Sequence, residues 1–382
     1  YTFKVYAKDT LGYETNEETV QVTTNAYVNP TVNSITVTDT TNDTISISVS
    51  ASGGTNSVAT YYYSINNGSY SSSSSNTKTF TGLSMGTTYT IKVYVKDTNG
   101  VSSSEKTTSA QTESLTYICT TGTNLATCIK NQYTSQGTNG LYYHTSSLAN
   151  SAADNSYRYA GASPNNYVCF GSTASTCPIG NLYRIIGVFG SEVKLIKATS
   201  YGDYAWDSTS NTWDSSTKPA IRTTLNTTFL NTISATWQNK IATHTWKVGG
   251  VNINRTITAK QCYNIEVGSS TTDPMKIGLM YVSDYGYAAS NSYWTTAFYN
   301  YNLAVSSNWL FLGTNEWTIS RDSSRTTTAH FIYTFSADVM GTLGRYTIFL
   351  AAEFAVRPSF YLTSSTTYVS GSGEAAGPIR IN

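Results

Sequence analysis

The first third of the chain alternates. In "TYTIKVYVKD", Thr88–Asp97, the residues Tyr89, Ile91, Val93 and Val95 fall on one face and Thr90, Lys92, Tyr94 and Lys96 on the other, the pattern of a half-buried strand. Runs of the same kind at "NSITVTDT", "DTISISVSAS", "ATYYYSINNGSY" and "TKTFTGL" are separated by Asn, Gly and Ser, which predicts short strands joined by tight turns. Towards the other end the pattern lapses. Between Trp317 and Val356-Arg357-Pro358 apolar residues recur neither at every second position nor at helical spacing, although turn residues and aromatics are plentiful.

An internal repeat marks the first boundary. "YTFKVYAKDTLGYETNEETVQVTT" at Tyr1 matches "YTIKVYVKDTNGVSSSEKTTSAQT" at Tyr89, an offset of 88 residues, about the size of one immunoglobulin-like sandwich. Residues 1–24 are thus expected to be the C-terminal strands of a truncated immunoglobulin-like domain, and residues 25–113 a complete one. "GLSMGTTYTIKVYVKD", Gly82 to Asp97, resembles fibronectin type III and related bacterial immunoglobulin-like domains, in which the tyrosine matching Tyr89 makes a corner contact.

After Glu113 the pattern changes. All seven tryptophans lie from Trp206 onward. "SSTKPAIRTTLNTTFLNTI" offers Ser215 and Ser216 as caps, Pro219 early in a helix, and Ile221, Leu225 and Phe229 on one face. "SATWQNKIA" predicts a second short helix from Ser234 that buries Trp237 and Ile241. Strands are expected at "YVCFG", "NLYRIIGVFG", "EVKLIKATSYG", "KIGLMYVSDYGYA", "WLFLG", "EWTIS" and "VRPSFYL". Helices among many short strands and long loops give an α+β domain over residues 114–382, so the fold class is a multidomain chain of all-β sandwich followed by α+β.

Composition narrows the setting. Of the 382 residues only 12% are charged, about half the ~25% usual for globular proteins, so solubility rests on Ser, Thr, Asn, Gly and the hydroxyls of 31 tyrosines. That suits exposed, strand-rich surface modules. A net charge of +1 without a Lys/Arg run offers nothing to nucleic acid or an anionic membrane, and no stretch approaches a membrane span. Cys119/Cys128 and Cys169/Cys177 are close enough in sequence to close small loops as disulfides; the alternative is buried thiols, and Cys262 is left over. None of the five cysteines forms a CxxC or has an adjacent histidine, which argues against zinc.

Candidates for chemistry are sparse. His144, His244 and His330 belong to no motif and are expected to be structural or at the surface. Asp203 and Asp207 form an acidic pair best read as loop or cap. No GxSxG, HExxH, Walker or GxGxxG motif occurs in a suitable context, so no enzyme activity, catalytic residue, metal or cofactor is expected. The aromatics Tyr281, Tyr285, Tyr287, Tyr293, Trp294, Phe298, Tyr299 and Tyr301 could stack on a ligand, but a core role is the plainer reading.

"NYVCFG", "CPIGNLYRIIGVFGSEVKLIK", "KIGLMYVSDYGYAAS", "NWLFLGTNEWTIS" and "AVRPSFYLTSSTTYVSGSGEAAGPIRI" together resemble the C-type-lectin-like domains of surface proteins from gut Firmicutes and their phages. Some of these are variable proteins of diversity-generating retroelements, in which a reverse transcriptase rewrites adenine positions. The resemblance covers about residues 117–382 and implies immunoglobulin-like stalk modules carrying a lectin-like head, extracellular on a bacterial cell surface or phage virion. It implies a variable region at about 317–358 that ends at a landmark matching Ala355-Val356-Arg357-Pro358. Asparagine, whose codons are favoured targets, is absent between Asn315 and Asn382. Between Ser323 and Phe354 only Met340 and Glu353 lie outside the residues that rewriting both adenines can produce.

By that resemblance the ligand-binding surface comprises Arg321, Ser323, Ser324, Arg325, Thr327, His330, Phe331, Tyr333, Phe335, Arg345, Tyr346, Phe349 and Phe354, several of them hot-spot types. Trp317, Arg357 and Pro358 are expected to be structural. The implied partner is a protein or glycan on another cell or surface. The other reading kept open is a non-variable glycan-binding or structural module of the same fold. Calcium-dependent lectin motifs Glu-Pro-Asn and Trp-Asn-Asp do not occur, and no cysteine pair follows Cys262, which sets aside calcium binding and formylglycine-generating activity.

Overall fold

The alternation of Thr88–Asp97 becomes a strand whose Ile91, Val93 and Val95 are fully buried while Lys92, Tyr94 and Lys96 stay half-exposed. The structure is a computed structural model; it describes the chain except residues 42, 85, 114–118, 215, 253–255, 333–340 and 348–351 and the side chains of 345–347. The chain divides into two units, Tyr1–Ser114 and Leu115–Asn382.

The first unit opens with a hairpin, β1 (Thr2–Val5) and β2 (Glu18–Gln21). A sandwich follows: β3 (Thr31–Thr40), β4 (Ile45–Ser52), β5 (Val58–Ile65), β6 (Ser71–Ser73), β7 (Thr77–Phe80), β8 (Thr88–Asp97) and β9 (Lys106–Gln111). Among the described residues one sheet runs β3-β4-β7 and the other β6-β5-β8-β9, the two-sheet arrangement of an immunoglobulin-like domain. Ten apolar residues from both sheets, Ile45, Ile47, Tyr63, Ile91 and Val93 among them, close one core. The Tyr89 hydroxyl accepts the Ser84 N–H at 2.7 Å, a corner contact at the start of β8.

The opening hairpin repeats the register, turn hydrogen bonds and an ion pair of the last hairpin of the sandwich. Asp9 accepts the N–H groups of Leu11 and Tyr13 at 2.9 Å each, as Asp97 accepts those of Asn99 and Val101 at 3.0 and 2.9 Å. Lys4 pairs with Glu17 as Lys92 does with Glu105. The difference is burial: Phe3 and Val5, which correspond to Ile91 and Val93, are 59% and 71% exposed.

In the second unit the first helix is α1 (Leu125–Asn131), capped by Asn124, whose side chain accepts the Thr127 N–H. Strands β10 (Leu141–Tyr143), β11 (Tyr157–Tyr159), β12 (Tyr167–Cys169), β13 (Leu182–Phe189), β14 (Glu192–Lys197) and β15 (Gly202–Ala205) follow. Next come α2 (Ala220–Thr223), α3 (Ala235–Gln238), β16 (His244–Lys247), α4 (Ala259–Gly268), β17 (Thr272–Met275), β18 (Ile277–Gly278) and α5 (Val282–Ala288). The chain ends in β19 (Glu316–Arg321), β20 (Thr328–Ile332), β21 (Leu343–Thr347), β22 (Glu353–Val356), β23 (Ser359–Leu362), β24 (Tyr368–Ser370) and β25 (Ile379–Ile381).

Among the described residues these strands form a nine-stranded sheet, seven of them in the order β18-β23-β14-β13-β12-β25-β24 with β11 also on β13 and β10 on β11, a five-stranded sheet β15-β22-β19-β20-β21, and the pair β16-β17. The beginning and end of the unit are stitched together by the Gly122 N–H on Tyr368, the Leu125 N–H on Thr366, and β25 running parallel to β12. Val356-Arg357-Pro358 is where the chain crosses from one sheet to the other: β22 belongs to the five-stranded sheet, β23 to the nine-stranded one. The structure bonds Cys119 to Cys128 and Cys169 to Cys177, and leaves Cys262 free and buried on α4.

Several expected elements change. Pro219 is the cap of α2 and not an early helical residue, Ser216 caps nothing, and Ser215 lies outside the described residues. The Ala220 N–H is instead accepted by Asp207, 13 residues upstream, at 2.8 Å. "KIGLMYVSDYGYA" is a strand only at Ile277–Gly278 and then turns into α5, and "WLFLG" is a turn. Both were apolar runs, and a short apolar run does not distinguish strand from buried helix or turn. Helices α1 and α4 went unread, because buried cysteines and alanines do much of their packing.

Candidate binding surface

Strand β19 supplies the floor. Trp317 is fully buried, its indole N–H donates to the Tyr204 carbonyl at 2.9 Å, and its ring packs on Phe354 at 4.6 Å and Phe331 at 5.9 Å. Phe331 and Phe354 meet each other at 4.6 Å. On the other side of β20, His330 Nε2 donates to the Val251 carbonyl at 3.0 Å. The expectation that His330, Phe331 and Phe354 lie on the recognition surface is therefore corrected: they are 1%, 1% and 9% exposed. Strand β20 sits between β19 and β21 with both faces covered, so every residue from Thr328 to Ile332 is buried and no alternation survives in its sequence.

Between β19 and β20 the chain makes a turn that is held from inside. Asp322, fully buried, accepts the Ser324 N–H at 3.0 Å and hydroxyl at 2.6 Å with one oxygen, and the Thr328 hydroxyl at 3.0 Å with the other. Burial pushes its carboxyl pKa up, but these hydrogen bonds outweigh it and leave the group below its ordinary range. The Asn211 amino group lies 2.9, 2.6 and 2.6 Å from the carbonyls of Asp322, Arg325 and Thr328, its two hydrogens shared among three acceptors. The backbone of Val251 brackets the turn, donating to Arg321 and accepting from Ser323. Gly250 makes that approach possible: its φ is +77°, and a Cβ there would sit 2.3 Å from the Arg321 carbonyl.

What this frame leaves outside is short. Ser323, Ser324 and Arg325 are exposed, Thr327 and Arg321 half-exposed. Arg321 Nε has no hydrogen-bond partner among the described residues. Tyr333, Phe335 and Phe349 lie outside the described residues, as do the side chains of Arg345 and Tyr346, whose backbones pair with His330 and Ala329 in β21.

Two buried ionic networks fix the frame. Arg357, 2% exposed, forms a two-pronged pair with Glu316 at 2.7 and 2.8 Å and also donates to the Leu310 carbonyl. Burial raises the Glu316 pKa against the pull of Arg357. Pro358 offers its carbonyl to the Lys197 N–H at 3.0 Å. Further along β19, the Ser320 hydroxyl donates to Glu266 at 2.6 Å, and Glu266 also accepts the Val282 and Ser283 N–H groups at 3.0 and 3.2 Å, so one buried carboxylate joins α4, the start of α5 and β19. Beside it Asp284 takes Lys194 at 2.6 Å and Arg158 at 3.4 Å, and Arg158 reaches Asp154 at 2.7 Å. None of Asn211, Asp322, Glu266 and Glu316 was singled out from the sequence; the Asp322-Ser323-Ser324 run is an Asx-turn signal that could have found Asp322.

The remaining candidates have plain roles. His144 is buried with Nδ1 accepting the Ala152 N–H, and His244 is paired with Glu192 at 2.9 Å. Asp203 is exposed and Asp207 caps α2. Of the aromatic set, Tyr285, Tyr287, Trp294, Phe298 and Tyr301 are buried, while Tyr299 is 48% exposed. Among the described residues no group of three His, Cys, Asp or Glu side chains is arranged to hold a metal ion, and no helix is long and apolar enough to cross a membrane.

No family model and no curated protein matches the chain. Among the solved structures that it resembles are three single domains. The PKD1 domain of Vibrio anguillarum Epp is 18% identical over 23% of this chain and 98% of that one, with a TM-score of 0.20. A fibronectin type III variant, FN3tt mut, is 21% identical over 22% and 97%, with a TM-score of 0.19. A human fourth fibronectin type III domain is 17% identical over 25% and 89%, with a TM-score of 0.21.

Proposed function

We propose that this chain is an extracellular, non-enzymatic ligand-binding or adhesion protein, of a bacterial cell surface or phage virion, in which immunoglobulin-like modules carry a C-type-lectin-like head. Recognition is non-covalent and centres on the Asp322–Thr328 turn and the residues that follow it, as the diversified surface of a retroelement variable protein. One observation carries this reading. The turn is fixed by Asn211, Asp322 and Val251, and most of those contacts go to backbone atoms, so Ser323 and Arg325 can change without loss of the frame.

Burial of His330, Phe331 and Phe354 favours the second reading, a non-variable glycan-binding or structural module, because a rewritten core position would unfold the sheet. The two readings part at the nucleotide level. The first expects a near-copy of the Trp317 to Pro358 coding region beside a reverse-transcriptase gene, differing at adenines and sparing the His330, Phe331 and Phe354 codons. Sibling genes that differ evenly along residues 114–382 would sink it. Protein and glycan arrays probed with the whole chain and with Arg325→Ala then test the surface itself: equal binding by both would remove the turn from the site.

A further inference from the structure

Arg321 ends β19 and is the last residue before the Asp322 turn. Its stem lies against Gly250, where a Cβ would come within 2.4 Å of the Arg321 Cγ, so only glycine leaves room for it. Among the described residues its guanidinium makes no hydrogen bond or ion pair, and Nε is sealed from solvent. Arg158, Arg184, Arg222 and Arg357, by contrast, each hold a carboxylate or a carbonyl.

Burial draws the Arg321 pKa down against the pull of Asp214 and Asp322. The two carboxylates that act on it are bonded elsewhere. Asp322 accepts from Ser324 and Thr328, and one oxygen of Asp214 accepts the Ser216 N–H and hydroxyl and the Thr217 N–H. A cation that has lost part of its water without gaining a partner is costly, and an anion that pairs with it offsets that cost.

Four residues on, Arg325 is exposed and its guanidinium is likewise unpaired among the described residues, while its backbone is fixed by Asp322 and Asn211. Between and beside the two arginines stand hydroxyls: Ser323 and Ser324 are exposed and Thr327 half-exposed, and residues 321–328 include no exposed apolar side chain. Protein partners are anchored by aromatic or aliphatic groups in desolvated pockets, whereas guanidinium beside hydroxyl suits a polar ligand that carries an anionic group.

On the reading that the turn is the binding surface, we propose that its ligand is an acidic glycan whose carboxylate is held by the Nη groups of Arg321. Arg325 adds a second positive charge at the rim, and the hydroxyls of Ser323 and Thr327 meet those of the sugar.

Calorimetric titration of the whole chain with D-glucuronate and N-acetylneuraminate, each set against a neutral counterpart, D-glucose and the methyl ester of N-acetylneuraminic acid, tests this. At least one acid is expected to bind at least about tenfold tighter than its counterpart, and less tightly as salt is added. Arg321→Gln is expected to bring that acid down to the counterpart's level with an unchanged melting temperature. Arg321→Lys restores the charge and is expected to recover part of the preference, which a folding defect would not allow. Arg325→Ala is expected to weaken the acid roughly twofold to fivefold. No binding by either acid, equal binding by acid and counterpart, wild-type binding in Arg321→Gln, or tighter binding of an acidic peptide such as acetyl-glutamyl amide would overturn the proposal. A neutral ligand captured on the arrays and lost in Arg325→Ala would leave the turn as the binding surface and remove only its acidic preference; capture untouched by Arg325→Ala would remove the surface itself.

Discussion

The two units solve the same problem, a chain with few charges, in opposite ways. The sandwich of the first unit encloses ten apolar residues, and its ion pairs Lys4–Glu17, Lys8–Glu14 and Lys92–Glu105 all lie at the surface. The second unit spends its charges inside: Arg158, Lys194, Glu266, Asp284, Glu316 and Arg357 are each at most 4% exposed. Regular sheets satisfy their own backbone, so an apolar core suffices. The second unit has long irregular segments whose backbone groups need side-chain partners, and the buried ions supply them, as Arg357 does for Leu310 and Glu266 does for Val282 and Ser283.

That contrast can be broken most sharply at Arg357. Removing one partner of a buried pair costs about 3–5 kcal/mol, so Arg357→Ala is expected to lower the denaturation midpoint of the second unit and leave that of the first in place. Ile91→Ala is the mirror experiment, expected to cost about 2–5 kcal/mol in the first unit alone. A neutral Arg357→Ala would show that the internal ions are incidental to stability.

Asn211→Ala sharpens the picture within the second unit. It strips three carbonyls of a buried donor, for an expected loss of about 1–3 kcal/mol, and hydrogen exchange is expected to accelerate in the turn before the rest of β19 and β20. Unchanged exchange would mean the turn is held by Asp322 and Val251 alone.

Acid provides a milder comparison. In the second unit Asp154, Asp207, Asp273 and Asp322 are held below the usual range because hydrogen bonds and cations outweigh burial. The unfolded chain takes those protons first, near pH ~3.9, so their contribution is complete above about pH 5 and is lost as pH falls through the lowered folded values. Glu266 and Glu316, raised by burial, act with the opposite sign: they favour the fold below pH ~4.3 and less as pH rises. Asp214 is lowered as well, so five groups oppose two, and urea titrations at pH 6 and pH 3 are expected to show the larger loss in the second unit; among the described residues of the first only Asp97, which is buried, and Glu105 are lowered. Equal losses in both units would count against this assignment.

The smallest effect is expected at the proposed surface. Arg325→Ala is exposed, and should change stability by less than about 0.5 kcal/mol while reducing ligand capture. A larger destabilisation would make Arg325 part of the frame.

Legibility followed the same division. In β8 the order Tyr-Thr-Ile-Lys-Val-Tyr-Val-Lys states which face is inside, and Asp9 and Asp97 sit at the same repeat position with the same turn hydrogen bonds. In β20, Thr-Ala-His-Phe-Ile states nothing, because both faces are covered, one by Trp317 and Phe354, the other by Val251. His330, Phe331 and Phe354 were consequently read as surface by residue type. The Asx signal of Asp322 was readable, but not its burial, and nothing local to Asn211 points to a partner more than a hundred residues away.

The sequence by itself determined the strands of the sandwich and their turn residues, since each depends on neighbours two to four positions apart, and the repeat, which is a likeness between two stretches 88 residues apart. Tertiary structure alone decided which charges go inside and which few residues of the unpatterned stretch remain outside. Arg357 meets Glu316 across 41 residues and Lys194 meets Asp284 across 90, and a side chain's choice between solvent and such a partner leaves no period in the chain.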